Sequence, residues 1–382
     1  MSPLNAFLET VPLLTRPSGI ANYVAGLLQE YARLPALVHC LSGLASGRPA
    51  RQAALAERCR SLAPEIVFAR LSCPNRLATA WPRLAALTAR PRLPAVDIAH
   101  ATANSFSSWL PPQARARVLT IHDVVYLRHR GGTLCSPALE ASMSARLPGD
   151  CRRADLILTD SEFSKREICE LLRVPADKVA VALLASSLVA PEGTAADAEA
   201  PSGGPYLLYV GSLDPRKNIA TLLTAFASFR QAVPEARLVL VGKPGWRGEE
   251  LVAASRRTAG VEWLPGCEAA ALAQLYRQAR GLFLVSWYEG FGLPILEAMA
   301  CGCPVCYGTG SSMAEIAGDT GIAVRPDDLD GIVDAMRLFW QGDRQTRAWR
   351  AQGRARAATF TWAQTAQATL AAYQTALARR AS

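Results

Sequence analysis

Short, near-continuous apolar runs recur along the whole chain with amphipathic helical patterns between them, and that alternation leaves few folds open. In the first half the runs are "LNAFLE" (4–9), "VDIAHA" (96–101), "RVLTIHD" (117–123), "ADLILTDS" (154–161) and "KVAVALLA" (178–185), with helical stretches such as "IANYVAGLLQEYARL" between them. The second half keeps the rhythm: "YLLYVGS", a helix over 217–231, "ARLVLVGK", a helix over 248–258, "VEWLPG", a helix over 269–279, "GLFLVSW", a helix over 294–302, and "PVCYG". Strands apolar on both faces belong in parallel sheets covered on each side by helices. At 382 residues the chain also exceeds what one hydrophobic core organises. The expected fold is therefore α/β, with two doubly wound, Rossmann-like domains. Residues 190–205, "APEGTAADAEAPSGGP", have a linker composition. They divide a domain over 1–189 from one over 206–360, and a cleft between the two is the expected ligand site. A final helix over 361–382 carries Trp362, Ala366, Leu370 and Tyr373 at helical spacing and is expected to dock, packing back on the first domain.

Charge and cysteines narrow the function classes. The formal charge is +9, and residues 48–92 hold nine arginines against Glu57 and Glu65. Arg76, Arg83 and Arg90 recur every seven residues, with Trp81, Leu84 and Leu87 between them, which stacks the arginines on one helical face near Pro82. Such a face suits anionic lipid headgroups, at about 1 kcal/mol per basic residue, or simply solvent. No nucleic-acid-binding motif accompanies the charge, so no nucleic-acid partner is expected. No window of about 18 uninterrupted apolar residues exists to span a membrane. The ten cysteines are scattered apart from Cys301, Cys303 and Cys306, and no apolar signal segment follows Met1. Reduced, buried thiols in a cytoplasmic protein are the expectation, with no metal at "CGCPVC".

The most informative segment is "WYEGFGLPILEAMACGCPV", 287–305. It reads as a turn entering a helix, with Pro294 in the first turn, where a missing N–H costs nothing. The amides near Phe291, Gly292 and Leu293 then point outward at the positive end of a helix dipole, an anion site suited to phosphate. Glu297, expected in the first turn, could accept two hydrogen bonds from a vicinal diol such as a ribose, or merely favour the dipole. Glu289, before the turn, could hold sugar hydroxyls or lie solvated. In "YVGSLDPRKN" a basic pair, Arg216 and Lys217, follows a strand and a glycine turn, well placed for a diphosphate or for solvent. His122 ends a strand and is followed by Asp123, a position that serves structure as readily as chemistry.

Taken together, "GSLDPRKN", "VEWLPG", "LAQLYRQARGLFLVSWYEGFGLPILEAMACGCPV" and "EIAGDTGIAVRPDD" resemble the second domain of the family 4 retaining glycosyltransferases of GT-B fold. Glu289 and Glu297 match that family's E-x7-E spacing. In the first domain "PSGIANYVAGLL", "TIHDVVYLRHR" and "TDSEFSKREI" are similar to its glycine loop, His-Asp motif and serine-rich helix start. The resemblance implies sugar transfer from a nucleotide diphosphate sugar, with an acceptor-binding first domain and a donor-binding second. By motif position it implies Glu297 on the ribose, Arg216 and Lys217 on the diphosphate, and amides around Gly292 and Leu293 on the distal phosphate or sugar. Glu289 would bind the donor's hydroxyls and the base would lie against 261–266. Gly19 would let its loop approach the phosphate, and His122 would sit beside sugar and acceptor, orienting the one and polarising the other. His122, Glu289 and Lys217 are thus the implied catalytic set.

With fixed cations facing the leaving group no metal or other cofactor is expected, and "RPDDLD" (325–330) occupies what resembles a variable loop. Two departures stand out. Ser212 replaces an arginine that the family often carries, and "LLASSLVA" stands where an asparagine-glycine turn usually closes the first domain. The wording resembles bacterial surface-polysaccharide mannosyl- and rhamnosyltransferases. GDP-mannose is therefore the expected donor, and a glycan or polyprenyl-diphosphate-linked acceptor at the cytoplasmic face of the inner membrane the expected partner. UDP-glucose or UDP-N-acetylglucosamine is the rival donor. A non-catalytic subunit of the same fold would be expected to lose Glu289, Glu297 or Lys217, and all three are present. A nicotinamide-linked dehydrogenase would need a G-x-G-x-x-G turn that the chain lacks.

Overall fold

The computed structural model describes residues 4–14, 18–34, 38–44, 49–70, 95–104, 113–188 and 204–381. Arg76, Arg83 and Arg90, and nearly all of the 190–205 segment, lie outside the described residues. The chain divides into two units: Met1–Val124, Ala141–Leu184 and Trp362–Ser382 form the first, and Val125–Glu140 with Ala185–Thr361 the second. Residues 125–140, assigned by sequence to the first domain, thus belong to the second unit.

The first unit is a seven-stranded parallel sheet built from β1 (Leu4–Leu8), β2 (Val38–Leu44), β3 (Val67–Arg70), β4 (Ile98–Ala101), β5 (Ala116–Thr120), β6 (Leu156–Thr159) and β7 (Val179–Val181), in the order β3-β2-β1-β4-β5-β6-β7. The chain runs outward from β1 to β3 and then returns to β4 on the other side of β1. That reversal opens a crevice at the carboxyl ends of β1 and β4. The C-terminal helix Trp362–Ala381 packs on the helix Gly19–Ala32 and on β5 and β6, all within this unit. It buries Thr365, Ala366, Thr369, Ala372, Tyr373 and Ala376. Trp362 and Leu370, expected in the core, are only half-buried.

The second unit repeats the plan with β8 (Tyr206–Val210), β9 (Arg237–Val241), β10 (Val261–Leu264), β11 (Leu282–Leu284), β12 (Val305–Gly308) and β13 (Gly321–Val324), ordered β10-β9-β8-β11-β12-β13, again all parallel. β8, β11 and β12 are buried throughout, as a sheet covered on both faces requires. Its topological switch lies between β8 and β11, so the loops leaving those two strands flank the crevice. They are the loops that carry Arg216, Lys217 and Glu289.

Several boundaries differ from expectation. The helix read from 217 begins at Ile219, after a single 3-10 turn Pro215–Lys217 and Asn218 in the left-handed region at φ 58°. The helix read over 294–302 is Leu293–Ala300, which moves Glu297 from the first turn to the second. Among the described residues no helix is long and apolar enough to cross a membrane.

Candidate active site

In the second unit the loop after β11 turns into its helix through Gly292, whose φ of 94° only glycine adopts readily and where an added Cβ would meet the Met313 side chain at 3.2 Å. Pro294 follows in the first helical turn. The amides of Phe291, Gly292 and Leu293 find no acceptor among the described residues, so three donors stand at the helix start. Phe291 is itself buried, its ring edge-on to Phe360 at 6.4 Å.

Glu289 is only 5% exposed and sits between the two loops. Its Oε1 accepts from Lys217 Nζ at 2.6 Å and from Ser286 Oγ at 2.7 Å, and its Oε2 accepts from Arg216 Nη1 at 3.0 Å. Arg216 also donates to the Tyr288 carbonyl at 2.9 Å, and Ser312 Oγ donates to the Glu289 carbonyl at 2.8 Å. Burial alone would raise this carboxyl. Lys217, Arg216 and the hydrogen bonds from Lys217 and Ser286 outweigh burial and bring it down to about 2. Asn218 completes the brace by donating to the carbonyls of Val285 at 3.0 Å and Pro326 at 2.6 Å. The two cations that sequence assigns to a diphosphate are therefore held, in this structure, by the carboxylate that sequence assigns to sugar hydroxyls. Ser212, in the position where an arginine was expected, donates to Asp214 Oδ2 at 2.6 Å.

Glu297 is 8% exposed, and its Oε2 accepts from the Tyr276 hydroxyl at 2.8 Å. Burial raises its carboxyl to about 7 against the opposing pull of that hydrogen bond. The three clustered cysteines are buried free thiols, and burial pushes Cys301 up to about 11 and Cys303 up to about 12. They are packing groups, not nucleophiles. Among the described residues no cluster of His, Cys, Asp and Glu has the arrangement to hold a metal ion.

In the first unit His122 follows β5 and joins three adjacent strand ends. Its Nδ1 lies 2.7 Å from Asp160 Oδ2, just past β6, and its Nε2 lies 2.9 Å from the Thr102 carbonyl, just past β4. A carbonyl oxygen can only accept, so Nε2 carries a proton. Burial would lower this imidazole, but Asp160, by charge and hydrogen bond, together with Thr102 raises it above its ordinary value. Burial also raises Asp160, against the pull of His122. Both ring nitrogens are thus engaged, and His122 ties together the ends of β4, β5 and β6. Gly19 opens the helix Gly19–Ala32 behind the Ser18 cap, whose hydroxyl accepts from the Ala21 amide at 3.2 Å. A Cβ at Gly19 would meet nothing within 4 Å among the described residues.

Arg216, Lys217, Glu289, Phe291, Gly292, Leu293 and Glu297 thus belong to one unit, His122 and Gly19 to the other. Asp160, Tyr276, Ser286 and Asn218 escaped the sequence reading. Asp160 alone had a signal, an acid directly after a strand that neighbours the His122 strand.

Residues 17–182 match the family described as Glycosyltransferase Family 4, and residues 194–356 that described as Glycosyl transferases group 1. O-antigen chain mannosyltransferase B from Escherichia coli is 37% identical over 285 residues, covering 70% of this chain and 72% of that protein. The chain is a family 4 glycosyltransferase. A second relative of this transferase, the MMP alpha-(1->4)-mannosyltransferase of Mycolicibacterium hassiacum, is 32% identical over 46% of this chain and 44% of its own length. Among solved structures, sucrose-phosphate synthase from Thermosynechococcus elongatus superposes with a TM-score of 0.74 at 20% identity over 97% of this chain and 98% of that one. Anabaena HepE in complex with UDP and glucose superposes with a TM-score of 0.70 at 16% identity over 96% and 97%. The fold of the transferase is accordingly GT-B, with two parallel-sheet, Rossmann-like units.

Proposed function

We propose that the transferase moves mannose from GDP-mannose, with retained anomeric configuration, onto a glycan or polyprenyl-diphosphate-linked acceptor during synthesis of a bacterial surface polysaccharide at the cytoplasmic face of the inner membrane. The observation that carries the transfer reading is the Arg216–Lys217–Glu289 cluster at the switch point beside three amides with no acceptor among the described residues. The likeness to O-antigen chain mannosyltransferase B supports the choice of sugar. Here the bond between the anomeric carbon and the diphosphate oxygen breaks, charge grows on the departing diphosphate, and the acceptor oxygen bonds to the same face while its hydroxyl proton passes to a departing diphosphate oxygen. Lys217, Arg216 and the amides of residues 291–293 stabilise that charge without reorganising. Glu289 holds both cations in place for the diphosphate and presents its carboxylate towards the donor sugar's hydroxyls. Glu297 meets the ribose, Gly19 leaves room for the phosphates, and His122 fixes the strand ends of the acceptor-binding unit.

Thermal shift with GDP, UDP, ADP and dTDP at matched concentrations, on the native protein and on Glu297→Ala, tests the reading. Ligand at about 100 times its Kd should stabilise by roughly 2.7 kcal/mol. GDP alone should do so, and the substitution should remove the effect. Stabilisation by UDP instead would replace the mannose assignment with UDP-glucose or UDP-N-acetylglucosamine, and no shift with any nucleotide would refute donor binding. Because the leaving group is met by fixed cations, mannosyl transfer should persist in excess EDTA. A loss of activity restored by a divalent ion would overturn that part.

A further inference from the structure

The two oxygens of Glu297 are not equivalent. Tyr276, on the helix Ala269–Gln278, donates its hydroxyl to Oε2 at 2.8 Å, whereas no donor from the described residues reaches Oε1. Tyr276 is fully buried, and burial together with the adjacent carboxylate pushes its hydroxyl well above its ordinary range, so at working pH it keeps its proton and donates it along this bond. A glutamate side chain has three rotatable bonds and loses considerable freedom when fixed. A tyrosine has two, and this one is immobilised by the core around it. The hydrogen bond therefore transfers the rigidity of the core to a carboxyl group that no other side-chain donor among the described residues reaches.

We propose that Tyr276 is a positioning residue for the nucleotide ribose: by occupying Oε2 it fixes the Glu297 carboxylate and leaves Oε1, with both its lone pairs, as the acceptor for the ribose hydroxyls. The inference rests on the reading of Glu297 as the ribose-binding group. It adds that a single oxygen of that residue faces the sugar and that a buried residue on the preceding helix sets which one.

Isothermal titration of GDP and 2′,3′-dideoxy-GDP, and of UDP and its dideoxy counterpart, tests it on the native protein, Tyr276→Phe, Glu297→Ala and the double variant. The native protein should prefer the ribonucleotide by about tenfold, the scale of one hydrogen bond to a charged group. Tyr276→Phe should lose most of that preference while binding the dideoxy nucleotide as the native protein does. In the Glu297→Ala background the same substitution should change affinity for either ligand by less than about twofold, because Tyr276 acts only through the carboxylate. That background leaves no carboxyl without its donor, so the comparison stands even where Tyr276→Phe alone is poorly folded. Full ribose preference in Tyr276→Phe, or an equal loss for both nucleotides, overturns the role of Tyr276 and leaves that of Glu297 standing. No ribose preference in the native protein overturns both.

Discussion

Glu289→Gln is expected to lower the unfolding free energy by about 3 kcal/mol at neutral pH, the scale of removing one partner from a buried ion pair. Glutamine keeps the volume and one acceptor, so what is lost is charge. Lys217 would remain with its side chain 9% exposed, and Arg216 with its side chain 19% exposed, without the carboxylate between them. Acid should produce the same loss in the native protein. The carboxyl ionises near 2 in the fold against 4.5 unfolded, so its contribution is complete above pH 4.5 and disappears as pH falls towards 2. Urea midpoints for both proteins should therefore differ at pH 7 and converge towards pH 2. A constant gap would mean that Glu289 is not the ion-pair partner described. Adding Lys217→Gln to Glu289→Gln should recover part of the stability, since replacing a whole buried pair costs far less than halving it. Transfer activity should not recover, because the group aimed at the leaving diphosphate has gone.

The same cluster shows what sequence can and cannot convey. Spacing within one segment is legible: the turn at Gly292, Pro294 behind it and the eight-residue interval between the two glutamates all follow from local rules of strand, turn and helix start. The pairing of Glu289 with Lys217 spans 72 residues. It exists only because the switch between β8 and β11 brings their loops together, and no periodicity encodes that. Tyr276 was invisible for the same reason, acting on a residue of a neighbouring element, and Asp160 showed only as an acid directly after a strand. β2, β3 and β13 were missed for a different one. "VHCLSGL", "VFAR" and "GIAV" are short or carry Gly, Ser and Arg, so neighbouring strands and not their own apolarity make them strands. Helix 362–381 misled in detail because hydrophobicity picks large residues for a buried face. Here close approach decides: Trp362 lies over Gly26, where an added Cβ would stand 2.3 Å from the indole, and apart from Tyr373 the buried positions of the helix are Ala and Thr.

Truncation after Thr361 is expected to abolish cooperative folding of the first unit, because the C-terminal helix completes its buried polar network as well as its core. His100, at the heart of β4, has Nδ1 2.7 Å from the Tyr373 hydroxyl and Nε2 2.7 Å from Thr120 Oγ1, which in turn lies 3.1 Å from the Tyr23 hydroxyl. Without the helix, His100 Nδ1 and the apolar face over β5 and β6 lose their cover together. The contribution of Tyr373 can be read separately: Tyr373→Phe leaves one buried imidazole nitrogen unpaired, a cost of about 1–3 kcal/mol. Burial, and then the proximity of His122, lower His100 to about 3 from its ordinary 6.5. An unfolded chain therefore takes up a proton at His100 that the fold refuses, and the contribution of His100 to stability falls with falling pH between 6.5 and 3, by up to about 1.4 kcal/mol per pH unit. His100→Gln removes that uptake, so the native protein should be the more stable at pH 7 and its advantage should narrow as pH falls towards 3. Chemical denaturation followed by circular dichroism at several pH values measures both effects. A truncated chain that still unfolds in one sharp transition, with the acid slope intact, would mean that the sheet holds His100 neutral without the helix. The helix would then be a cover for the unit and not part of its core.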